Sequence, residues 1–498
     1  MLVAPIVIPL LTGLVLAGAH GHHRRQWISL AGGALTTLAA CWVVVDALGG
    51  NIAHVQLGNW PAPLAITLVS DHLSGPFVGI AALAAVCVLA WSAAALDRAA
   101  AHRFHGGYHF LVAGVMIGFL TGDLFNFFVA IEVTLIASYV LIGTATVGPG
   151  RVEAFRYLVI NLVGSTLYLF GSGAAYAYTG TLNLAELASR LAGTDPAQIL
   201  LVAGPILVAL AIKSAVFPLS LWLPDAYPAS NTAVNALFAS LLTKLGIYAL
   251  YRIVGMVLPL LELVAPVLLV LSVPTMVLGV LGAYSRSDVR GILSFHIVSQ
   301  IGYMIMGLGL ISVAGIAAGL FMTVHNMIVK TALLLIGGVV EQVRGTGELK
   351  RLGGMVSTHP LTALLFFVSA MALAGVPPLS GFWPKFGLVL AGLDAGQIIV
   401  TAAAILTALF TLLSMAKVWA GAFWGEAPAG AVPRPEPVAQ LAPIAVLALA
   451  AALLGLVPDP AWRAAERAAQ AIRSPAPYIE TILAPAPAPV LAQEEERP

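Results

Sequence analysis

Residues 375–392 read GVPPLSGFWPKFGLVLAG. Three prolines, two early glycines and a lysine interrupt a stretch that otherwise has the composition of a membrane helix. Proline removes a backbone donor and clashes with the preceding turn, so a helix running through this stretch breaks at Pro377-Pro378. A break exposes backbone carbonyls, which a bilayer tolerates only where they face protein or water. Lys385 stands beside the break. The reading of this stretch depends on whether the whole chain is a membrane protein.

The composition says that it is. Of 498 residues, 60% are hydrophobic and only 9% are charged, with a mean hydropathy of +0.97. A soluble domain carries roughly 25% charged residues. A net charge of +1 argues against nucleic acid as a partner. Cys41 and Cys87, the only two cysteines, lie in apolar runs and form no metal spacing or disulfide framework, so iron–sulfur or haem ligation has no support. No P-loop and no GxGxxG opening a helix after a strand is present, so no nucleotide cofactor and no enzymatic chemistry of that kind is expected. Met1 leads directly into an apolar run, with no sign of a cleavable signal peptide.

A helix needs about 20 mainly apolar residues to cross the hydrocarbon. Fourteen such runs occur, near 2–19, 27–48, 71–95, 107–122, 124–146, 152–178, 198–220, 228–253, 261–284, 290–312, 315–340, 360–393, 397–424 and 438–458. With the N-terminus outside, the odd-numbered loops hold twelve basic residues: Arg24, Arg25, Arg98, Arg103, Arg151, Arg156, Arg286, Arg290, Arg344, Lys350, Arg351 and Arg434. The even-numbered loops hold only Arg190 and Arg252. This bias obeys the positive-inside rule and supports the count. The tail from 459 to 498, rich in Pro and Ala and closing on Glu494, Glu495 and Glu496, reads as a short helix followed by a disordered end.

The basic residues sort by type. All 17 arginines fall in loops, at helix ends or in the tail, whereas five of the six lysines fall within spans: Lys213, Lys244, Lys330, Lys385 and Lys417. Glu132, His296 and His325 also lie within spans. An ionised group at the bilayer centre costs about 2.5–3.5 kcal/mol even on the gentlest scale. Arginine cannot shed its proton to escape that cost, but lysine can, because burial lowers an amine's pKa to as little as about 5–6. Intramembrane lysines can therefore take up and release protons. Lys417, near a helix end, could instead snorkel to the interface. Snorkelling explains Lys213 and Lys244 poorly. Five residues turn a helix by about 140°, so His325 and Lys330 do not share a face. His325 and His296 could each serve as a polar bridge between helices. Glu132, a lone carboxylate in FFVAIEVTLIASYV, must find a partner or stay protonated.

An internal repeat links these residues. PLSLWLP (218–224) is echoed by PLSGFWP (378–384), and YVLIG (139–143) by YMIMG (303–307). ALFASLLTK, ending at Lys244, is echoed by ALFTLLSMAK, ending at Lys417. At the offset of the second echo Glu132 faces His296. The echoes define two five-helix units, 107–253 and 261–424, preceded by three helices in 1–106 and followed by a helix at 438–458. Five is odd, so the second unit enters the membrane from the opposite side and the repeat is inverted, with its seventh and twelfth helices discontinuous.

The stretch IKSAVFPLSLWLPDAYPASNTAVNALFASLLTKLGIYALYR (212–252), with HNMIVKTALLLIGG, ELKRLGGM and AGVPPLSGFWPKF, resembles the antiporter-like proton-translocating subunit family. Respiratory complex I, membrane-bound hydrogenases and Mrp-type sodium/proton antiporters share this family. The resemblance covers roughly 107–424. Within the family, the D-type group of the Mrp antiporters is most similar. The resemblance implies fourteen helices with two inverted repeats, and a chain of protonatable groups at the midplane. Glu132 matches its fifth-helix glutamate and Lys213 the seventh-helix lysine with which it pairs, Lys244 its eighth-helix lysine, His325 and Lys330 its eleventh-helix polar pair, and Lys385 its twelfth-helix position. It further implies partner membrane subunits, protons and sodium as the transported ions, and a bacterial cell membrane. Three rivals stand beside that reading: a proton-pumping complex I or hydrogenase subunit, a non-conducting structural subunit, and a stand-alone solute carrier.

Overall fold

The computed structural model describes residues 1–145, 150–256, 258–427 and 434–484. The chain opens with α1 (Ala4–Gly18) and α2 (His22–Leu48), then a short antiparallel hairpin, β1 (Ala53–Gln56) and β2 (Thr67–Ser70). There follow α3 (Ser74–Ala95), α4 (Arg98–Leu120), α5 (Leu124–Ala145), α6 (Gly150–Thr179), α7 (Leu184–Arg190), α8 (Pro196–Ser214), α9 (Leu223–Ala226) and α10 (Thr232–Ala249). A π-helical turn, Leu250–Val254, extends α10. Next come α11 (Leu258–Ser285), α12 (Val289–Gly309), α13 (Val313–Arg344), α14 (Met355–Thr358), α15 (Pro360–Ala374), α16 (Phe382–Asp394), α17 (Ile398–Val418) and α18 (Val438–Leu456). The chain closes with α19 (Asp459–Arg473) and α20 (Ala476–Leu483).

Among the described residues, eleven helical stretches are long and apolar enough to cross a membrane, and α1 and α15 are shorter apolar helices. Their starts follow local chemistry. Asp97, Asp195, Asn231, Asp288 and Ser312 each accept a hydrogen bond from a first-turn backbone N–H of the helix they precede. Capping explains why α4 begins at Arg98 and not near 107, where its apolar run begins. Hydropathy locates the hydrocarbon part of a helix, whereas a cap locates its end.

α10, α12 and α13 form the centre, each with 94% of its most apolar window buried, against 33% for α2. α13 is 32 residues long, about 48 Å at 1.5 Å per residue, and packs against α3, α10, α12, α15, α16, α18 and α19. Small residues allow the close approach. A Cβ at Gly307 of α12 would lie 2.6 Å from the Cα of Gly319 on α13. The tail forms two helices, parted at Ser474-Pro475. α19 is amphipathic: Ala465, Ala468, Ala469 and Ile472 face the protein. The end of the tail expected to be disordered, with Glu494, Glu495 and Glu496, lies outside the described residues.

Two arginines assigned to loops are buried. Arg25 sits in the first turn of α2 and donates to the carbonyls of Leu16, Ala19 (3.0 Å) and His102 (3.1 Å). Arg252 lies in the π turn and makes a bidentate pair with Asp71 at 2.6 and 2.7 Å. Beside that pair the β-hairpin packs over the ends of α4 and α5. Gly122 donates to Thr67 O at 2.8 Å, and Asn183 donates to Thr67 Oγ1 at 2.9 Å. No apolar run marks the hairpin, so hydropathy passes over it.

Candidate functional site

The helix ends at two breaks, one around Phe217-Pro218 and one around Pro377-Pro378. α8 stops at Ser214, where Ala215 takes a left-handed conformation with φ 55°, and helix resumes at Leu223. α15 stops at Ala374, and helix resumes at Phe382. Gly375 caps α15 with φ 89°, a conformation that costs glycine little. Gly381 has no room for a side chain, since a Cβ there would stand 2.0 Å from Ala372 O.

The carbonyls freed by these breaks are met by side chains. Trp222 Nε1 donates to Ile212 O at 3.2 Å. Lys385 Nζ donates to Leu373 O at 2.7 Å and Ala374 O at 2.9 Å, the last two carbonyls of α15. A cation at a helix C-terminus is doubly suited, as donor and as complement to the dipole. The same ammonium lies 5.4 Å from the ring centroid of Tyr303.

Lys213, in the last turn of α8, is buried and donates to Asn161 O at 2.9 Å and Asn161 Oδ1 at 3.4 Å. Glu132 on α5 accepts a hydrogen bond from Ser165. Asn161 and Ser165 are one turn apart on α6, with Gly164 beside them leaving space for the Lys213 stem. Among the described residues no ion pair joins Glu132 to Lys213, but each lies in the other's electrostatic field.

Lys244 is wholly buried and donates to Ala239 O at 2.7 Å. Lys330 donates to Leu293 O at 3.2 Å. His325, on a different face of α13 from Lys330, turns to another segment: its Nδ1 lies 2.8 Å from Ser380 Oγ, inside the second break. His296 Nε2 lies 2.9 Å from Ser414 Oγ on α17. Electrostatic reach connects Lys330 to both Lys244 and Lys385, and both histidines lie in the field of Lys330 and Lys385. Lys244, Lys330, Lys385, His296 and His325 are thus one neighbourhood. Glu132 and Lys213 are a second.

Lys417 stands apart. It is half-buried and donates to Tyr284 O at 2.7 Å and Arg286 O at 2.6 Å, at the C-terminal end of α11. That is the contact pattern of a helix-end cap.

Composition passed over Asn161, Ser165, Ser380 and the Asp71–Arg252 pair. The i, i+4 spacing of Asn161 and Ser165 in an apolar run was a usable signal. Asp71 and Arg252, 181 residues apart, left none.

A family model described as NADH:quinone oxidoreductase/Mrp antiporter, TM, matches residues 121–411. The chain belongs to that family. The family model spans the break of α8, both neighbourhoods of buried amines and the break before α16. A relative from Alkalihalophilus pseudofirmus, named as the D-type subunit of a Na(+)/H(+) antiporter, is 39% identical over 97% of this chain and 99% of its own length. A chain of the Mrp complex from a Dietzia species superposes with a TM-score of 0.92 at 35% identity, covering 97% of this chain and 99% of that one. A chain of respiratory complex I from Thermus thermophilus superposes with a TM-score of 0.85 at 22% identity, covering 97% of this chain and 100% of that one, a likeness of fold.

Proposed function

We propose that this chain is the proton-conducting subunit of a multisubunit sodium/proton antiporter in a bacterial cell membrane. One observation carries the reading. Lys330 on α13 lies within electrostatic reach of both Lys244 on α10 and Lys385 in the first turn of α16. A fixed row of three buried ammonium groups would be a large uncompensated cost, whereas amines that exchange protons along the row turn that cost into function. Buried polar atoms without a protein partner among the described residues accompany them: Thr243 Oγ1, Ser294 Oγ, His325 Nε2 and Thr407 Oγ1. Such atoms are the sites at which internal water hydrogen-bonds. The names of the relatives support the assignment to an antiporter.

In this reading the chain has fourteen spans. α8 with α9, and α15 with α16, are the discontinuous seventh and twelfth, within inverted repeats over 107–253 and 261–424. The N-terminus lies outside. Glu132 and Lys213 gate the path: together, Lys213 holds its proton, and apart, it passes the proton on. Protons travel by way of Lys244 and His325 or Lys330 to Lys385. Partner subunits supply the sodium site, since sodium favours several oxygen ligands and no cluster of intramembrane carboxylates occurs among the described residues. The fold shared with complex I supports a second reading, the same proton path driven by a redox partner.

The test is sodium-driven proton movement in inverted vesicles carrying the assembled complex, with Glu132→Ala and Lys213→Ala. Each is expected to reduce the rate at least about tenfold, the scale of a lost proton-transfer group. Wild-type rates in both would remove the gate. Co-purification of iron–sulfur or quinone-binding subunits in place of antiporter partners would favour the second reading.

A further inference from the structure

Two small cavities lined from α5 and α10 share one lining residue. One, of about 30 Å³, is lined by Lys213, Asn161, Thr134, Gly246 and Phe127. The other, of about 10 Å³, is lined by Asp123, Thr121, Tyr248, Arg252 and the same Phe127. A site needs roughly 10–15 Å³ to hold one water, so the pair has room for a few molecules at most. Phe127 is the side chain common to both linings.

Asp123 is buried in the link between α4 and α5. Its Oδ1 accepts the Asn126 N–H at 2.8 Å, capping α5. Burial pushes its carboxyl up to about 6. Tyr168 on α6 lies beside Phe127. Its hydroxyl is fully buried with no partner among the described residues, its ring lies 5.7 Å from that of Phe127, and it stands in the field of Asp123. The other titratable groups at this place are Tyr248 on α10, Arg252 in the π turn, Asp71 paired with Arg252, and Tyr478 on α20.

We propose that Asp123 is the proton acceptor through which Lys213 discharges to the membrane face that carries the β-hairpin, by an outlet through both cavities past Phe127 that is separate from the route by Lys244 to Lys385. The proposal rests on the proton-conducting reading of Lys213. The Lys213 ammonium gives one proton to cavity water. Water hands one of its own protons to the Asp123 carboxylate, leaving a neutral amine, intact water and a neutral carboxyl. The carboxyl then discharges its proton to the aqueous face. Arg252 cannot compete for the proton, because a guanidinium does not titrate and its charge is matched by Asp71.

The experiment measures sodium-driven proton movement by the assembled complex in inverted vesicles, with assembly checked by co-purification. Asp123→Asn keeps a good helix cap but cannot carry a proton. It is expected to slow transport about tenfold, with Asp123→Glu within about twofold of wild type. Phe127→Trp, which enlarges the side chain that both cavities share, is expected to slow transport similarly. Wild-type rates in Asp123→Asn overturn the proposal. If that variant does not assemble, Phe127→Trp decides alone, and a wild-type rate there overturns the path. Failure of the underlying reading looks different: Lys213→Ala would then retain transport. Loss in Lys213→Ala with full activity in Asp123→Asn and Phe127→Trp rejects only this exit.

Discussion

Glu132 and Lys213 are each hydrogen-bonded to a residue of the same helix, α6, and not to each other. Ser165 donates to the Glu132 carboxylate, and Lys213 donates to Asn161 one turn away at 2.9 Å. The pair is therefore in an unpaired arrangement, each partner satisfied by α6 instead of by the other. Replacing Ser165 by Ala removes the donor that holds Glu132. Ser165→Ala is expected to shift Glu132 toward Lys213 and lower the transport rate about threefold to tenfold, within the reach of one hydrogen bond to a charged group. An unchanged rate in vesicles, at wild-type expression, would show that Ser165 does not set the pair.

Lys385 is tied to its helix break through Gly375. A Cβ at Gly375 would lie 2.8 Å from Lys385 Cδ, on a backbone with φ 89°. Gly375→Ala is expected to displace the ammonium from Leu373 O and Ala374 O and to cost about 1–3 kcal/mol of stability. Its melting temperature in detergent and its transport rate should fall together. Loss of stability with full transport would detach Lys385 from the path.

Lys417 separates two roles by one substitution. Arginine can cap the carbonyls of Tyr284 and Arg286 but cannot release a proton. Lys417→Arg is expected to transport at the wild-type rate, and Lys417→Ala to lose a little stability. A transport defect in Lys417→Arg, with normal assembly, would put Lys417 on the path.

The Asp71–Arg252 pair anchors the start of α3 to the π turn. Breaking a buried pair by removing one partner costs about 3–5 kcal/mol, because the remaining charge stays buried. Arg252→Met is expected to lower the melting temperature sharply, and Asp71→Asn with Arg252→Met to recover part of the loss. Equal losses in the single and double variants would contradict an energetic link between the two.

Asp123 adds a pH signature. Its carboxyl titrates at about 6 in the fold, against 3.8 when unperturbed. The folded chain therefore binds more protons between those values, and stability falls as pH rises through that window. Asp123→Asn is expected to flatten the fall in melting temperature between about pH 4 and pH 6. A slope identical to that of wild type would assign the dependence to other groups.

The helices and the positions of the buried amines were legible because hydropathy and the cost of charge in a bilayer are local rules. Hydropathy found α10 and α13, and proline chemistry found the ends of α8 and α15. Caps and the β-hairpin were less visible, since Asp97 and Thr67 act through single backbone contacts that no apolar period records. The partners of the amines were not visible at all. Lys244 reaches a carbonyl of its own helix, whereas Lys330 reaches Leu293 on another, and lysine in an apolar run reads alike in both cases.

By itself, then, the order of residues determined where the chain is helical, where it breaks, and which charges must be carried into the hydrocarbon. Packing alone decided which of those charges meet. Ser165 meets Glu132 and Asn161 meets Lys213, the end of α15 meets Lys385, and Asp71 finds Arg252 across 181 residues. The physical reason is reach. Propensity and hydropathy act within a few turns, while a hydrogen bond or ion pair acts over a few ångströms in space, between segments whose approach only the assembled bundle defines.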